Sequence, residues 1–377
     1  MSRPALLFLN NQGLGASGGG VTILRALVAG LAADHDIAVA SFDPPGPAPE
    51  GVTQLVLPPP PPGAWQFAPW HLAPWRLARH LAAVVPPLLP EAARVVALDC
   101  HFALALARLP PARLVYLSLS CIPRQEWFSR PGWRMLPRCA QYGGLERRLA
   151  RRAGRVVVAS RRHAAELRRF EALRIAPTVL APVFPTASPP APARRDPPLL
   201  VCLGRMTPVK RFHLALAAMA RLRDLDWRLV LAGDGPLLPA LRRDAARLGI
   251  ADRVGFIGAT EDVPSLLAGA ALLLHPSAYE SFGIAVFEAM AAGVPPVCAA
   301  GRAVTACAEF ATDGESAMFV DFDRAAEAAG RIRALLLDPE ERARRGAAAR
   351  VASARLLGRD YVATFRAEVL DPLRDRP

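Results

Sequence analysis

Short continuous apolar runs alternate with longer stretches in which apolar positions recur every three or four residues along the first half of the chain. Residues 5–10, 37–42, 94–99, 114–119 and 156–160 are runs of the first kind. Such runs mark strands buried on both faces of a parallel sheet. Between them a glycine-rich turn leads into a helical pattern over residues 21–33, and the proline- and tryptophan-rich residues 58–90 read as loops plus one helix over 75–85. Seven prolines among the seventeen residues 182–198 then break the composition, as a linker does. A second alternating series follows, with candidate strands at 199–203, 228–232, 254–257, 271–275 and 296–299, and the tail beyond Glu340 is helical and arginine-rich. Two series of strand–helix units predict an α/β chain with two doubly wound parallel sheets, and 377 residues is ample for two cores.

An open α/β sheet binds its ligand beyond the carboxyl ends of its strands, so the loops there carry the candidate chemistry. After the run 199–203 come Gly204-Arg205-Met206-Thr207-Pro208-Val209-Lys210 and a helix. A glycine, two cations and a helix start suit a diphosphate. Of 46 basic residues 45 are arginine, and the single lysine is Lys210, so a position that wants a compact ammonium is the natural reading. The run 271–275 leads through Glu280 and Gly283 into a helix starting near Ile284, whose free N–H groups can bind phosphate. Glu288 lies in that otherwise apolar helix, where a carboxylate needs partners. Sugar hydroxyls suit both glutamates. Gly233-Asp234-Gly235-Pro236 either lines the same pocket or is a plain turn.

Together these elements resemble the family 4 retaining glycosyltransferases (glycosyl transferases group 1). The resemblance rests on Gly204-Arg205…Lys210, Gly233-Asp234-Gly235-Pro236, Val254-Gly255-Phe256-Ile257-Gly258 and the Glu280…Glu288 pair around Ser281-Phe282-Gly283. It implies the GT-B fold, two doubly wound Rossmann-like domains facing a central cleft. An acceptor-binding domain would span residues 1–185, a nucleotide-sugar-binding domain 186–355, and a helix over 356–377 would cross back to the first. It also implies roles: Arg205, Lys210, Gly283 and Ile284 on the donor diphosphate, Glu288 on the ribose, Glu280 on the donor sugar, and a base site at Ile257 and Gly258. The glycines before the first helix, Gly19 and Gly20, match the family's phosphate-approaching loop. The histidine usual after the fourth or fifth strand of the first domain is missing from residues 114–120, which leaves His101, with Asp99 behind it, as the catalytic candidate. Residues 301–305 lack the acidic residue often found after the family's glycine, which leaves donor preference open. The expected activity is transfer of a hexose from a UDP-sugar or GDP-mannose donor to a glycan or lipid-linked acceptor, with no metal and no cofactor.

Composition narrows the setting. At 52% hydrophobic and 21% charged the chain folds. Six cysteines without a CxxC pair suit a reducing compartment and no metal-ligand set. The N-terminus lacks the pattern of a signal peptide, and no run of about eighteen apolar residues predicts a membrane span. A cytoplasmic enzyme is expected. Residues 108–174 hold sixteen arginines against four glutamates, +12 of the net +13, which is either a face that attracts anions or a solvated helix face in an arginine-biased chain. No nucleic-acid-binding module accompanies it, so nucleic acid is not an expected partner. Trp65, Phe67, Trp70, Trp75, Trp127, Phe128 and Trp133 lie among arginines, a combination that favours peripheral contact with an anionic membrane. Trp75, Leu77, Leu81, Val84 and Val85, beside Arg76, Arg79 and His80, fit either an interfacial helix or a core helix with a basic edge.

Rival readings remain at this level. Gly13-x-Gly15-x-x-Gly18 followed by Asp43 is a partial fingerprint of an NAD(P)-dependent dehydrogenase. A sugar-nucleotide epimerase of GT-B fold and a non-catalytic nucleotide-sugar-binding subunit share the second-domain features.

Overall fold

The computed structural model describes residues 5–16, 18–60, 73–89, 93–129, 132–171, 176–184, 196–260, 262–358 and 360–373. Trp65, Phe67, Trp70 and linker residues 185–195 lie outside them. The chain divides into two compact units, Met1–Pro182 with Asp360–Pro377, and Val183–Arg359.

Unit 1 contains β1 (Ala5–Leu9), α1 (Gly19–Leu31), β2 (Asp36–Ser41), β3 (Thr53–Val56), α2 (Ala73–Val84), β4 (Arg94–Ala97), β5 (Leu114–Ser118), α3 (Ile122–Ser129), α4 (Leu136–Arg152), β6 (Arg155–Val158), α5 (Arg161–Glu171) and β7 (Thr178–Val179). Its sheet is parallel throughout in the order β3-β2-β1-β4-β5-β6-β7. Strands β1, β4, β5 and β6 are buried almost end to end, which is why they read as unbroken apolar runs. The edge strands β3 and β7 carry no such run and were not foreseen. Helix α2 settles the choice left open by its pattern: Leu77, Ala78, Leu81 and Val85 are buried in the core. The interfacial reading of that helix is therefore overturned, because its apolar stripe is already covered by its own unit. Helix α4 is tied to β5 by Tyr116, whose hydroxyl donates to the buried Glu146 Oε1 at 2.8 Å.

Unit 2 contains β8 (Leu199–Leu203), α6 (Phe212–Met219), β9 (Arg228–Ala232), α7 (Leu238–Arg247), β10 (Val254–Gly258), α8 (Val263–Ala268), β11 (Leu272–His275), β12 (Tyr279–Glu280), α9 (Ile284–Ala291), β13 (Pro296–Ala299), β14 (Val304–Thr305), β15 (Met318–Val320), α10 (Ala325–Leu337) and α11 (Pro339–Leu357). A parallel sheet in the order β10-β9-β8-β11-β13-β15 forms its centre, and β12 pairs with β14 outside it. Alternate residues of β8 serve two cores: Leu200 and Cys202 pack on one face, Leu199, Val201 and Leu203 on the other. Two-sided burial of this kind is what produces a continuous apolar segment.

Both sheets are thus doubly wound, as the alternation of elements predicted. Each reverses its strand order once, between β1 and β4 in unit 1 and between β8 and β11 in unit 2. Such a switch point opens a crevice at the carboxyl ends of the strands.

The last described segment completes unit 1. Helix α12 (Tyr361–Phe365) and the turns after it bury Tyr361, Phe365, Val369, Leu370 and Leu373. Arg366 Nη2 lies 2.5 Å from Asp34 Oδ2, and Arg94 Nη1 donates to the Leu370 carbonyl at 2.8 Å. Gly30 on α1 lets α12 approach, since a Cβ there would sit 2.6 Å from Val362 Cγ1. Phe365→Ala should therefore cost about 3–5 kcal/mol and lower the first transition in a thermal melt. A protease-resistant fragment starting near residue 196 should survive it. An unchanged melt would show that the returning segment does not support unit 1.

Candidate functional site

The switch point of unit 2 is where the candidate donor residues meet. Beyond β8 the chain passes Gly204 (φ 133°), makes one tight turn over Pro208–Lys210 and enters α6 through Arg211 (φ 50°). The Lys210 stem runs along Gly204, where a Cβ would lie 3.4 Å from Lys210 Cε. Beyond β11, Ala278 N donates to Val209 O at 2.8 Å, and Val304 N donates to Ala278 O at 2.8 Å. These two backbone bonds bring Glu280 Oε1 to 2.5 Å from Lys210 Nζ. His275 Nε2, fully buried at the end of β11, lies 3.0 Å from the same oxygen. Burial pushes the Glu280 carboxyl upward, but the Lys210 ammonium and the His275 ring outweigh it and hold the group well below the usual carboxylate range. Burial lowers His275, so the ring is neutral. The pair consists of one cation and one anion. Arg205, on the same loop, is exposed and has no ion-pair partner among the described residues.

Helix α9 supplies the next part. Gly283 precedes it at φ 101°, and a Cβ there would strike Cys307 Sγ at 2.6 Å, so only glycine fits. The first N–H groups of α9 have no carbonyl within the helix to donate to. Ile284, Glu288 and Ala291 form its partly accessible stripe, at helical spacing, while Val286, Phe287, Ala289 and Met290 are core. Glu288 has no hydrogen-bonding partner among the described residues, and burial raises its carboxyl to about 7. It is a carboxylic acid in wait of a donor or acceptor.

Gly233-Asp234-Gly235-Pro236 is more than a plain turn. Gly233 N donates to Gly258 O at 2.6 Å, Met206 N to Asp234 O at 2.7 Å, and Leu237 N to Met206 O at 3.0 Å. A Cβ on Gly233 would lie 2.1 Å from Gly204 O. The turn therefore braces the loop that carries Arg205. Ile257 is 49% exposed at the end of β10, and the space beside Gly258 (φ 72°) is open. A flat apolar group can lie there.

In unit 1 the switch point holds Asp99 and His101 after β4 and Asn11 after β1. Asp99 Oδ1 accepts from His101 N at 2.9 Å and contacts His101 Nδ1, and Asn11 Nδ2 donates to Asp99 Oδ2 at 2.6 Å. Burial raises Asp99, but the bonds from His101 and Asn11 outweigh it and keep the group ionised. A proton on Nδ1 would bond that carboxylate. Asp99, Cys100 and His101 bring possible metal donors within 4.8 Å of one another. Two of those donors already bond each other, and Cys100 is packed in the core, so the set fits a structural dyad better than an ion. Gly19 and Gly20 start α1, with Gly18 at φ 130° before them. The dehydrogenase fingerprint fails on geometry: Asp43 Oδ2 accepts from Gly13 N at 2.9 Å. Gly46 packs so closely on Gly15 that a Cβ at Gly46 would lie 2.3 Å from Gly15 N. The ribose-binding acid is engaged, and the glycine turn is covered.

The sequence reading missed His275, Asn11 and Tyr142, whose ring packs edge-on to His101 at 5.3 Å. His275 and Asn11 each stand directly at the carboxyl end of a strand, a position that could have singled them out. Tyr142 lies mid-helix, where nothing local distinguishes it.

Residues 184–352 match the sequence model of the family described as glycosyl transferases group 1. A GDP-mannose-dependent alpha-(1-6)-phosphatidylinositol dimannoside mannosyltransferase of Mycobacterium tuberculosis is 42% identical over 109 residues, 28% of this chain and 28% of that protein. An alpha-D-kanosaminyltransferase of Streptomyces kanamyceticus is 33% identical over 153 residues, 40% of this chain and 39% of the relative. The chain thus spans well under half the length of the relatives it matches. Among solved structures, sucrose-phosphate synthase from Thermosynechococcus elongatus superposes with a TM-score of 0.79 at 19% identity, covering 99% of both chains. Anabaena Alr3699/HepE in complex with UDP and glucose gives 0.72 at 21% identity, covering 99% of this chain and 100% of that one. These likenesses show the fold, of the GT-B class.

The state of Glu288 makes a signed prediction. The folded protein keeps this proton to about pH 7, whereas the unfolded chain loses it near its ordinary value. Stability therefore falls as pH rises from about 4.5 and continues to fall until about 7. Glu288→Gln should raise the melting temperature at pH 8 and leave it unchanged at pH 4.5. An equal shift at both would exclude a buried proton there. Lys210→Ala, which strands Glu280, should cost about 3 kcal/mol, and adding Glu280→Gln should restore part of that in a double-mutant cycle.

Proposed function

We propose that the protein transfers a hexosyl group from a nucleoside-diphosphate sugar, of the UDP-sugar or GDP-mannose class, to a glycan or lipid-linked acceptor, with retention of anomeric configuration. The observation that carries this reading is the contact of Lys210 with Glu280 at the switch point of unit 2, three residues before Gly283 opens α9. The group 1 family match over 184–352 covers these same residues.

In this reading the diphosphate lies at the start of α9 near Gly283 and Ile284, with Lys210 and Arg205 supplying positive charge. Glu288 accepts hydrogen bonds from the ribose, as an ionised carboxylate once hydroxyls surround it. The base rests at Ile257 and Gly258. Glu280, fixed by Lys210, holds a hydroxyl of the donor sugar. The bond between the anomeric carbon and the diphosphate oxygen breaks, and the negative charge gathers on the leaving phosphate. The acceptor hydroxyl attacks from the same face, and its proton passes to that phosphate. Charges already in place for a leaving anion are usually the largest catalytic contribution. In unit 1, Asp99 orients His101 for a catalytic role, and Gly19 and Gly20 open α1. No metal takes part, so activity should survive chelation by EDTA.

Peripheral contact with an anionic membrane belongs to the same proposal. Trp133 is 75% exposed and Leu136 55% exposed at the start of α4, and the Arg134 guanidinium lies 5.5 Å from the Trp133 ring centroid. Absence of co-sedimentation with anionic vesicles at low salt would remove that part alone. No described helix is long and apolar enough to cross a membrane.

A thermal-shift screen with UDP, GDP, ADP, NAD and NADP tests the reading. One nucleoside diphosphate should stabilise the protein, and Lys210→Ala and Glu288→Ala should each abolish the shift. With the matching sugar nucleotide, Lys210→Ala should lower kcat by about 100- to 1,000-fold. Stabilisation by NAD or NADP alone would overturn the proposal, as would epimerised sugar nucleotide appearing without any acceptor.

A further inference from the structure

Unit 1 contains a cavity of about 550 Å3 whose described walls are Trp75, Arg76 and Arg79 of α2 and Gln141 of α4. Its position follows from the topology. Helices α2 and α4 are the crossovers leading into β4 and β6, so they start at the carboxyl edge of a parallel sheet, with Trp75 and Arg76 in the first turn of α2 and Arg79 and Gln141 in the second turns of their helices. His101 stands at the same edge, and the ring packed against it belongs to Tyr142, the residue after Gln141. Helix α4 is held there by the buried bond between Tyr116 and Glu146.

The chemistry of the walls is specific. Arg76 and Arg79, three residues apart, share one side of α2. Both are exposed, and neither has a hydrogen-bonding or ion-pair partner among the described residues. Many arginines of this chain are engaged: Arg138 Nε bonds Glu126 at 2.9 Å, and Arg113 Nε bonds the Ala93 carbonyl at 2.9 Å. No described wall residue is acidic. Two adjacent guanidinium forks suit the oxygens of a phosphate. Trp75 is held by Arg148, whose guanidinium lies 4.9 Å from the ring centroid and which itself donates to Gly144 O at 3.2 Å. An indole fixed beside a phosphate-sized charge site suits a sugar or polyol ring. The volume matches a small-ligand pocket.

We propose that this cavity binds a phosphorylated sugar or polyol belonging to the acceptor, with its phosphate on Arg76 and Arg79 and its ring against Trp75. The proposal rests on the glycosyl-transfer reading and names the acceptor's chemical class. The phosphate is either a free monoester or a lipid-borne diester, and two arms separate these sources.

The full-length protein is titrated calorimetrically with glucose 6-phosphate, with glucose as control. In parallel it is sedimented with phosphatidylglycerol vesicles, with phosphatidylcholine vesicles as control. Arg76→Gln/Arg79→Gln should weaken one of these interactions by about tenfold or more. Trp75→Leu should weaken glucose 6-phosphate binding and leave binding of inorganic phosphate in place. Loss in the first arm identifies a free sugar phosphate, and loss in the second a lipid headgroup. Stabilisation by the nucleoside diphosphate must persist in the double variant, which checks its fold and keeps the donor reading a separate question. If the wild-type protein binds neither probe, or binds both as tightly after the double substitution, the cavity is not an anion site and the proposal fails.

Discussion

The contact between Lys210 Nζ and Glu280 Oε1 is the constraint on which the rest of unit 2's site depends. Neither partner is free to exist alone there. A carboxylate as enclosed as Glu280, with a neutral imidazole beside it, needs a full positive charge within hydrogen-bonding distance to remain ionised. The Lys210 stem lies along Gly204 and ends in a compact ammonium against the carboxylate. This gives a physical reason for the one lysine in a chain that otherwise uses arginine. The Ala278-to-Val209 backbone bond fixes the distance between the two loops. The pair therefore reports on the register of β8 against β11.

Two glutamates eight residues apart end in opposite states. Glu280 is ionised because the Lys210 ammonium and the His275 ring lie against it, while burial alone holds Glu288 at about 7. A sheet edge that held two ionised carboxylates would repel a diphosphate. One neutralised by a lysine and one able to hold its proton avoid that repulsion, leaving Arg205 as uncompensated positive charge. The arrangement has a cost in stability, because the partly accessible Glu288 lies in apolar surroundings with no hydrogen-bonding partner among the described residues.

Much of this was legible in advance, for reasons that differ by element. Strands β8 and β13 appear at the residues where their apolar runs place them, since two-sided burial leaves no polar position to blur the ends. Strand β3, with both end residues exposed, and the two-residue β12 and β14 have no such pattern. They form because neighbours present a matching edge. Helix α2 shows a different limit: an apolar stripe flanked by basic residues is the same for an interface and for a core, and only the packing of Leu77 and Leu81 decides. Lys210, Glu280 and Glu288 stood out as charges at strand ends or in apolar surroundings. His275 did not, because a histidine that finishes an apolar run looks like one more buried residue.

The arginines of this chain serve in two different ways. Many guanidinium groups terminate backbone segments: Arg342 donates to the carbonyls of Leu335 and Leu336, Arg345 to Ala317, Arg350 to Ala292 and Arg253 to Leu225. Five donors on a planar fork make arginine suited to carbonyls at element ends, and charge used in this way says little about ligands. Arg76, Arg79 and Arg205 are of the other kind, exposed at a carboxyl edge with no acceptor among the described residues. A net charge of +13 is therefore a poor guide to where an anion binds. Arg205 and the Arg76–Arg79 pair are distinguished by standing where a doubly wound sheet opens to a ligand.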